Sequence, residues 1–188
     1  LVHHTLPPYE VLYTDALSYE DVLRLKGIEE MTELYYNSGR YGNTLTALLQ
    51  LFPSPFDFYQ ALSQFYFSAG YIDTPPSLTE SYHILLRLAS QLPSADTHRI
   101  GWHIKYDMLR HQKIGSTPEW LPTDLYSRYK EQIFAFYRDE KNIATYLPHY
   151  QGMHALQIFR LAHLEVFPFQ LETGASTPTA YLFDYAHR

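Results

Sequence analysis

The spacing of apolar residues along the chain predicts a run of helices followed by a short β element. Ser18 stands three residues before Asp21, an acidic form of the capping box that opens a helix. From there Leu25, Ile28, Met31, Leu34 and Tyr35 fall on one broad face, with Lys26, Glu29, Glu30 and Glu33 opposite. Gly39 suits the left-handed position that ends such a helix. A second helix is expected over Thr44–Phe52 with Asn43 as its cap, and a third from Ser54-Pro55 to about Ala69, stopped by Gly70. Ser77 and Glu80 form a capping box for a fourth, which Pro93 breaks. A fifth runs from near Ala95 to Lys113, and Leu125, Tyr129, Ile133 and Tyr137 mark the face of a sixth. Asn142–Leu147 adds a helical turn.

After residue 160 the pattern changes. Leu164–Phe169 and Tyr181–Tyr185 are β-branched and aromatic, and a turn-rich loop, Gly174–Pro178, separates them. They predict a terminal β-hairpin at about 163–187, with Pro168 at an edge or a bulge. The fold expected is mainly α: a compact domain of about six helices with a C-terminal β-hairpin. Residues 1–17 read as a linker or N-terminal extension, with a short strand over Tyr9–Thr14, and 18–188 as a single domain. The opening Leu-Val-His-His has neither an initiator methionine nor the pattern of a signal peptide, so a longer parent polypeptide is expected.

Composition narrows the chemistry. The chain has 188 residues, 46% hydrophobic and 18% charged, which suits a globular domain with its own core. It has no cysteine, which excludes a cysteine-ligated iron–sulfur cluster, a thiol nucleophile and a disulfide framework within these residues. That composition fits a reducing cytoplasm. No stretch approaches the roughly 20 apolar residues of a membrane span. The net charge of −6 and the lack of a basic cluster argue against nucleic acid. Eighteen tyrosines are expected at the margin of the core or on a docking face, where a large ring and a hydroxyl can both be used.

Few residues point to catalysis. The pattern Asp96-Thr97-His98-Arg99-Ile100-Gly101 matches the D-x-H-x-x-G loop that presents histidine to cobalt in cobalamin proteins. No alternation of strands and helices surrounds it, so the match is a short pattern without its context. His103, Asp107 and His111 lie at i, i+4 and i+8 of one helix and are the candidate metal ligands. The outer two are about 12 Å apart along the axis, too far to share one ion. A solvated polar face is the alternative for this stripe. Tyr35, Tyr36, Asn37 and Arg40 at a helix end, and Trp120 in the irregular 115–123 loop, are candidate interface residues.

The run Leu17–Met31, Tyr35–Gly39, Ser54-Pro55-Phe56, Pro118-Glu119-Trp120, His163–Phe167 and Phe183-Asp184-Tyr185 together resemble one family across nearly the whole chain. This is a C-terminal domain of unknown function found in radical SAM proteins that carry an N-terminal cobalamin-binding domain. The resemblance implies a parent protein that uses S-adenosylmethionine, an iron–sulfur cluster and cobalamin, all held upstream. It brings no catalytic or cofactor-binding residue to these positions. The function it implies is a non-catalytic accessory domain packed on its own upstream radical SAM barrel, assisting substrate or partner binding. The alternatives are a recognition module for a protein or peptide rather than RNA, and a metal-binding domain using His103, Asp107 and His111.

Overall fold

The computed structural model describes residues 2–3, 11–14, 16–71 and 74–187. It is mainly helical, with eight α-helices among the described residues and a C-terminal hairpin. The chain forms two compact units, 1–100 and 101–188, and the division falls inside one helix.

In the first unit, β1 (Val2–His3) pairs antiparallel with β2 (Val11–Tyr13), so part of the expected linker is paired. Of the strand expected over Tyr9–Thr14, Tyr9 and Glu10 lie outside the described residues. Helix α1 (Tyr19–Met31) starts as its sequence implies: the Ser18 side chain accepts from the Asp21 N–H, and the Asp21 carboxylate returns the bond to the cap. The expected apolar face is only partly buried. Met31 and Tyr35 are enclosed, whereas Leu25 and Leu34 are exposed. Two features explain the difference. Helix α1 approaches α3 (Pro55–Ser68) at Gly27, where an added Cβ would sit 2.2 Å from Ser63 Oγ. The chain then continues as a π-helical turn, Thr32–Asn37, whose wider winding moves Leu34 out of the face that period 3.6 assigns it. Gly39 ends the segment at φ 67°.

Helix α2 (Gly42–Leu49) begins one residue before the expected cap, Asn43. The position before it is held by Tyr41, whose ring is buried and whose side chain does not cap. Helix α3 has Ser54 at its cap and Pro55 in its first turn. In α4 (Leu78–Ser90) only half of the expected box forms. Ser77 Oγ accepts from the Glu80 N–H, but the Glu80 carboxylate turns to the Tyr71 hydroxyl at 2.6 Å.

Helix α5 (Thr97–His111) and α6 (Asp124–Arg138) match their expected positions closely. Helix α7 (Glu140–Tyr146) follows, then α8 (Ala155–Leu161), which local pattern did not indicate. Strands β3 (Ala162–Phe167) and β4 (Thr179–Asp184) form the hairpin, in register from Ala162 opposite Asp184 to Phe167 opposite Thr179. Pro168 lies just beyond β3 and so removes no ladder bond.

The hairpin is covered on both faces. Phe167, Tyr181 and Phe183 meet Trp102 and Tyr106 of α5, with ring centroids 5.1 to 6.0 Å apart. Leu164 and Val166, on the opposite face by strand alternation, lie beside Ile133 and Phe136 of α6. Burial on both faces leaves neither side of β3 open to solvent, although His163 and Glu165 alternate with its apolar residues. It also means that Glu165, on the α5 face, enters the interior with its charge.

Candidate functional site

The hydroxyls of the first unit form an internal network whose direction follows from its protons. Tyr35 has one hydroxyl proton, and it donates to the Ser81 carbonyl at 3.0 Å. The contact between the Tyr35 and Tyr66 oxygens, 2.6 Å, must therefore be donated by Tyr66. By the same count Ser81 Oγ donates to the Leu78 carbonyl, and the Tyr41 hydroxyl donates to Ser81 Oγ at 2.7 Å. Tyr82 donates to the Arg40 carbonyl at 3.1 Å. The rings pack as closely as their hydroxyls bond: Tyr41 is 4.7 Å from Tyr35 and 4.6 Å from Tyr82 between centroids. Burial drives the Tyr35 hydroxyl far above the usual phenol range and pushes that of Tyr66 up to about 12. These hydroxyls are poor proton donors to a substrate, because they are buried and already engaged.

The second unit holds a buried charge cluster. Lys105, on α5, and Glu165, on β3, are 2% and 3% exposed and meet at 2.9 Å. Lys105 also donates to the Pro122 carbonyl at 2.9 Å and lies 4.8 Å from the centre of the Trp102 ring, a cation–π contact. The other Glu165 oxygen accepts from His163 Nε2 at 2.9 Å. Because an ionised carboxylate only accepts, that nitrogen carries the proton. Burial pushes the Glu165 carboxyl upward, but the His163 bond and the Lys105 charge outweigh it and hold the group below the ordinary carboxylate range. Nearby, Gly101 lets the 115–123 loop approach α5, since a Cβ there would stand 3.1 Å from Pro122 Cδ.

A family model described as Protein of unknown function (DUF4080) matches residues 1–183. The chain belongs to that family. No curated protein and no solved structure matches it.

In this DUF4080 chain the residues singled out from sequence fall into different settings. Tyr35 is fully enclosed, so of the helix-end group only Tyr36, Asn37 and Arg40 face outward. Asn37 donates to Glu33 at 2.6 Å. Trp120 is half-buried. His103 and Asp107 are 8% and 1% exposed, so this part of α5 is not the solvated face expected as the alternative to metal binding. His111 is half-exposed. Among the described residues no group of three or more His, Asp or Glu side chains is placed to hold a metal ion. Asp96 accepts from the Arg99 N–H at 2.9 Å and so caps α5, while His98 is exposed. Lys105, Glu165 and His163 escaped the sequence reading as a site. The available signal was a lysine between the apolar positions Ile104 and Met108, and a glutamate inside an aromatic strand.

Proposed function

We propose that this chain is a non-catalytic accessory domain of a larger radical SAM protein, and that it docks on the upstream catalytic part through the exposed apolar side chains of α1 and the π-helical turn. The observation that carries the reading is the distribution of exposed apolar side chains. Leu17, Tyr19, Leu23, Leu25, Leu34 and Tyr36 are 37% to 64% exposed, all within twenty residues of the chain's N-terminal segment. Single exposed apolar residues are ordinary, but a concentration of them marks an interaction surface. The resemblance of the Leu17–Met31 run to the radical SAM-associated domain supports the choice of partner, as does the engagement of Tyr35, Tyr66, Lys105 and Glu165 in internal bonds.

In this reading the iron–sulfur cluster, S-adenosylmethionine and cobalamin belong to the upstream domains, and the protein works in the cytoplasm. No described helix is long and apolar enough to cross a membrane. Charge specifies the docking surface further. Residues 1–100 carry eleven acidic against five basic side chains, net −6, whereas 101–188 carry nine of each. The surface on α1 therefore suits apolar groups flanked by lysine or arginine, and the same charge disfavours RNA.

The test is calorimetry between this chain and the separately prepared upstream portion, kept free of oxygen. Saturable binding that Leu23→Glu or Tyr36→Ala weakens at least tenfold supports the reading. An absence of binding, or binding indifferent to both changes, overturns it.

A further inference from the structure

Two adjoining clefts lie in the second unit, away from the charge cluster. The larger, about 560 Å³, is bordered by Arg138, Glu140, Ile143 and Ala144 and by the turn through Gly152. The smaller, about 410 Å³, is walled by Phe134, Leu156 and Phe159. Tyr137, Arg138, His154 and Ala155 border both, so the two form a continuous groove with Arg138 and His154 at the junction.

The groove is firmly built. Phe134 and Phe159 stack at 5.5 Å, and Tyr137 packs edge-on to Phe159 at 5.5 Å. The Tyr137 hydroxyl donates to the Ala162 carbonyl, which leaves its ring to the wall. Lys113 lies 5.0 Å from the Phe159 ring centre and donates to the Phe159 carbonyl at 2.6 Å. His154 Nδ1 accepts from the Leu156 N–H, so the neutral ring carries its proton on Nε2 as a donor. The Arg138 side chain makes no hydrogen bond or ion pair among the described residues, and Leu156 is 61% exposed although its neighbour Ile158 is buried.

The charge pattern selects the ligand. Among the described residues Arg138 is the one formally charged residue bordering the smaller cleft, whereas Glu140 borders only the larger. An apolar cleft with one guanidinium at its mouth suits a molecule with a flat apolar body and a carboxylate, which guanidinium grips in two-point fashion. We infer that this groove is a binding site for an organic carboxylate of that kind, its anionic end on Arg138 and its ring against Phe134, Leu156 and Phe159. The assignment is independent of the docking surface on α1.

The experiment uses the full chain labelled with ¹⁵N, titrated with 3-phenylpropionate and, in parallel, with its neutral amide. The expected result is saturable shifts confined to amides of 134–159, with the acid binding at least tenfold more tightly than the amide. Arg138→Gln should abolish that preference, and Leu156→Gln should weaken both ligands alike. Both side chains are exposed, so an unchanged melting temperature confirms that the variants fold. Shifts that do not saturate, shifts spread over the surface, or a preference that survives Arg138→Gln would overturn the site.

Discussion

At the scale of single residues, the two polar clusters differ in what their removal leaves behind. Tyr35 both accepts from Tyr66 and donates to the Ser81 carbonyl. Tyr35→Phe leaves the Tyr66 donor without its acceptor in a buried setting and removes the side-chain bond to the Ser81 carbonyl, while Tyr66→Phe leaves the Tyr35 donor satisfied. Urea unfolding should show a loss of about 1–3 kcal/mol for the first and about half as much for the second. Equal losses would mean that the proton direction is wrong. Lys105 and Glu165 behave more steeply. Lys105→Met alone leaves a buried carboxylate and should cost about 3–5 kcal/mol, whereas Lys105→Met with Glu165→Leu should recover most of it, as buried pairs replaced by apolar groups often do. A double variant as unstable as the single would show that the His163 and Pro122 contacts matter more than the ion pair. Neither cluster was legible in the sequence. Lys105 and Glu165 are sixty positions apart, and local periodicity carries no information on which distant residues meet. An abundance of tyrosine could be read from the sequence, but not that Tyr35 turns inward and Tyr36 outward.

Helices and strands were more legible, because their signals are local. Ser18, Ser54 and Ser77 each accept the backbone N–H three residues on, and Gly39 and Gly70 both have positive φ. These contacts need only a few neighbouring residues, so sequence states them directly. The failures come from packing. Asn43 is displaced as a cap by the buried Tyr41 ring, and α8 is too short, at seven residues, to show a reliable apolar period. Gly27 illustrates the same limit, since its role becomes visible only where α1 meets Ser63. Gly27→Ala favours an isolated helix by about 1 kcal/mol. Here the added methyl group meets Ser63 Oγ, so a net loss of stability is expected. Gly27→Ala with Ser63→Ala should restore it, because the Ser63 Cβ is 3.4 Å away, an ordinary contact. Melting temperatures of the two variants decide the matter, and a Gly27→Ala protein more stable than the parent would show that Ser63 turns its hydroxyl aside and does not obstruct the methyl group.

For the whole molecule, the titration of buried groups sets the pH range of stability. Glu165 and Asp184 both lie below their ordinary values of 4.5 and 3.8. At Asp184 burial acts upward, and bonds from the Tyr150 hydroxyl and from the Ala186 and His187 backbone overcome it. The unfolded chain therefore takes up protons first as pH falls. The stability these groups contribute is complete above the ordinary values and is lost as pH drops through the lowered ones. At the alkaline end the raised Tyr35 and Tyr66 act in the opposite sense. Their contribution is complete below about pH 10 and fades above it, because the unfolded chain ionises first. Urea midpoints should be flat between about pH 6 and 9 and fall on both sides. The acid fall should be shallower in the Lys105→Met/Glu165→Leu protein, and an unchanged slope would remove Glu165 from the account.

The enclosure of Lys105 has a practical consequence for labelling chemistry. Lys130 and Lys141 are exposed and should react with an amine reagent in the folded protein, whereas Lys105 is 2% exposed and held by Glu165, Pro122 and the Trp102 ring. Its amine becomes reactive only when the second unit opens, so the rate at which the reagent marks Lys105 is a clock for that opening.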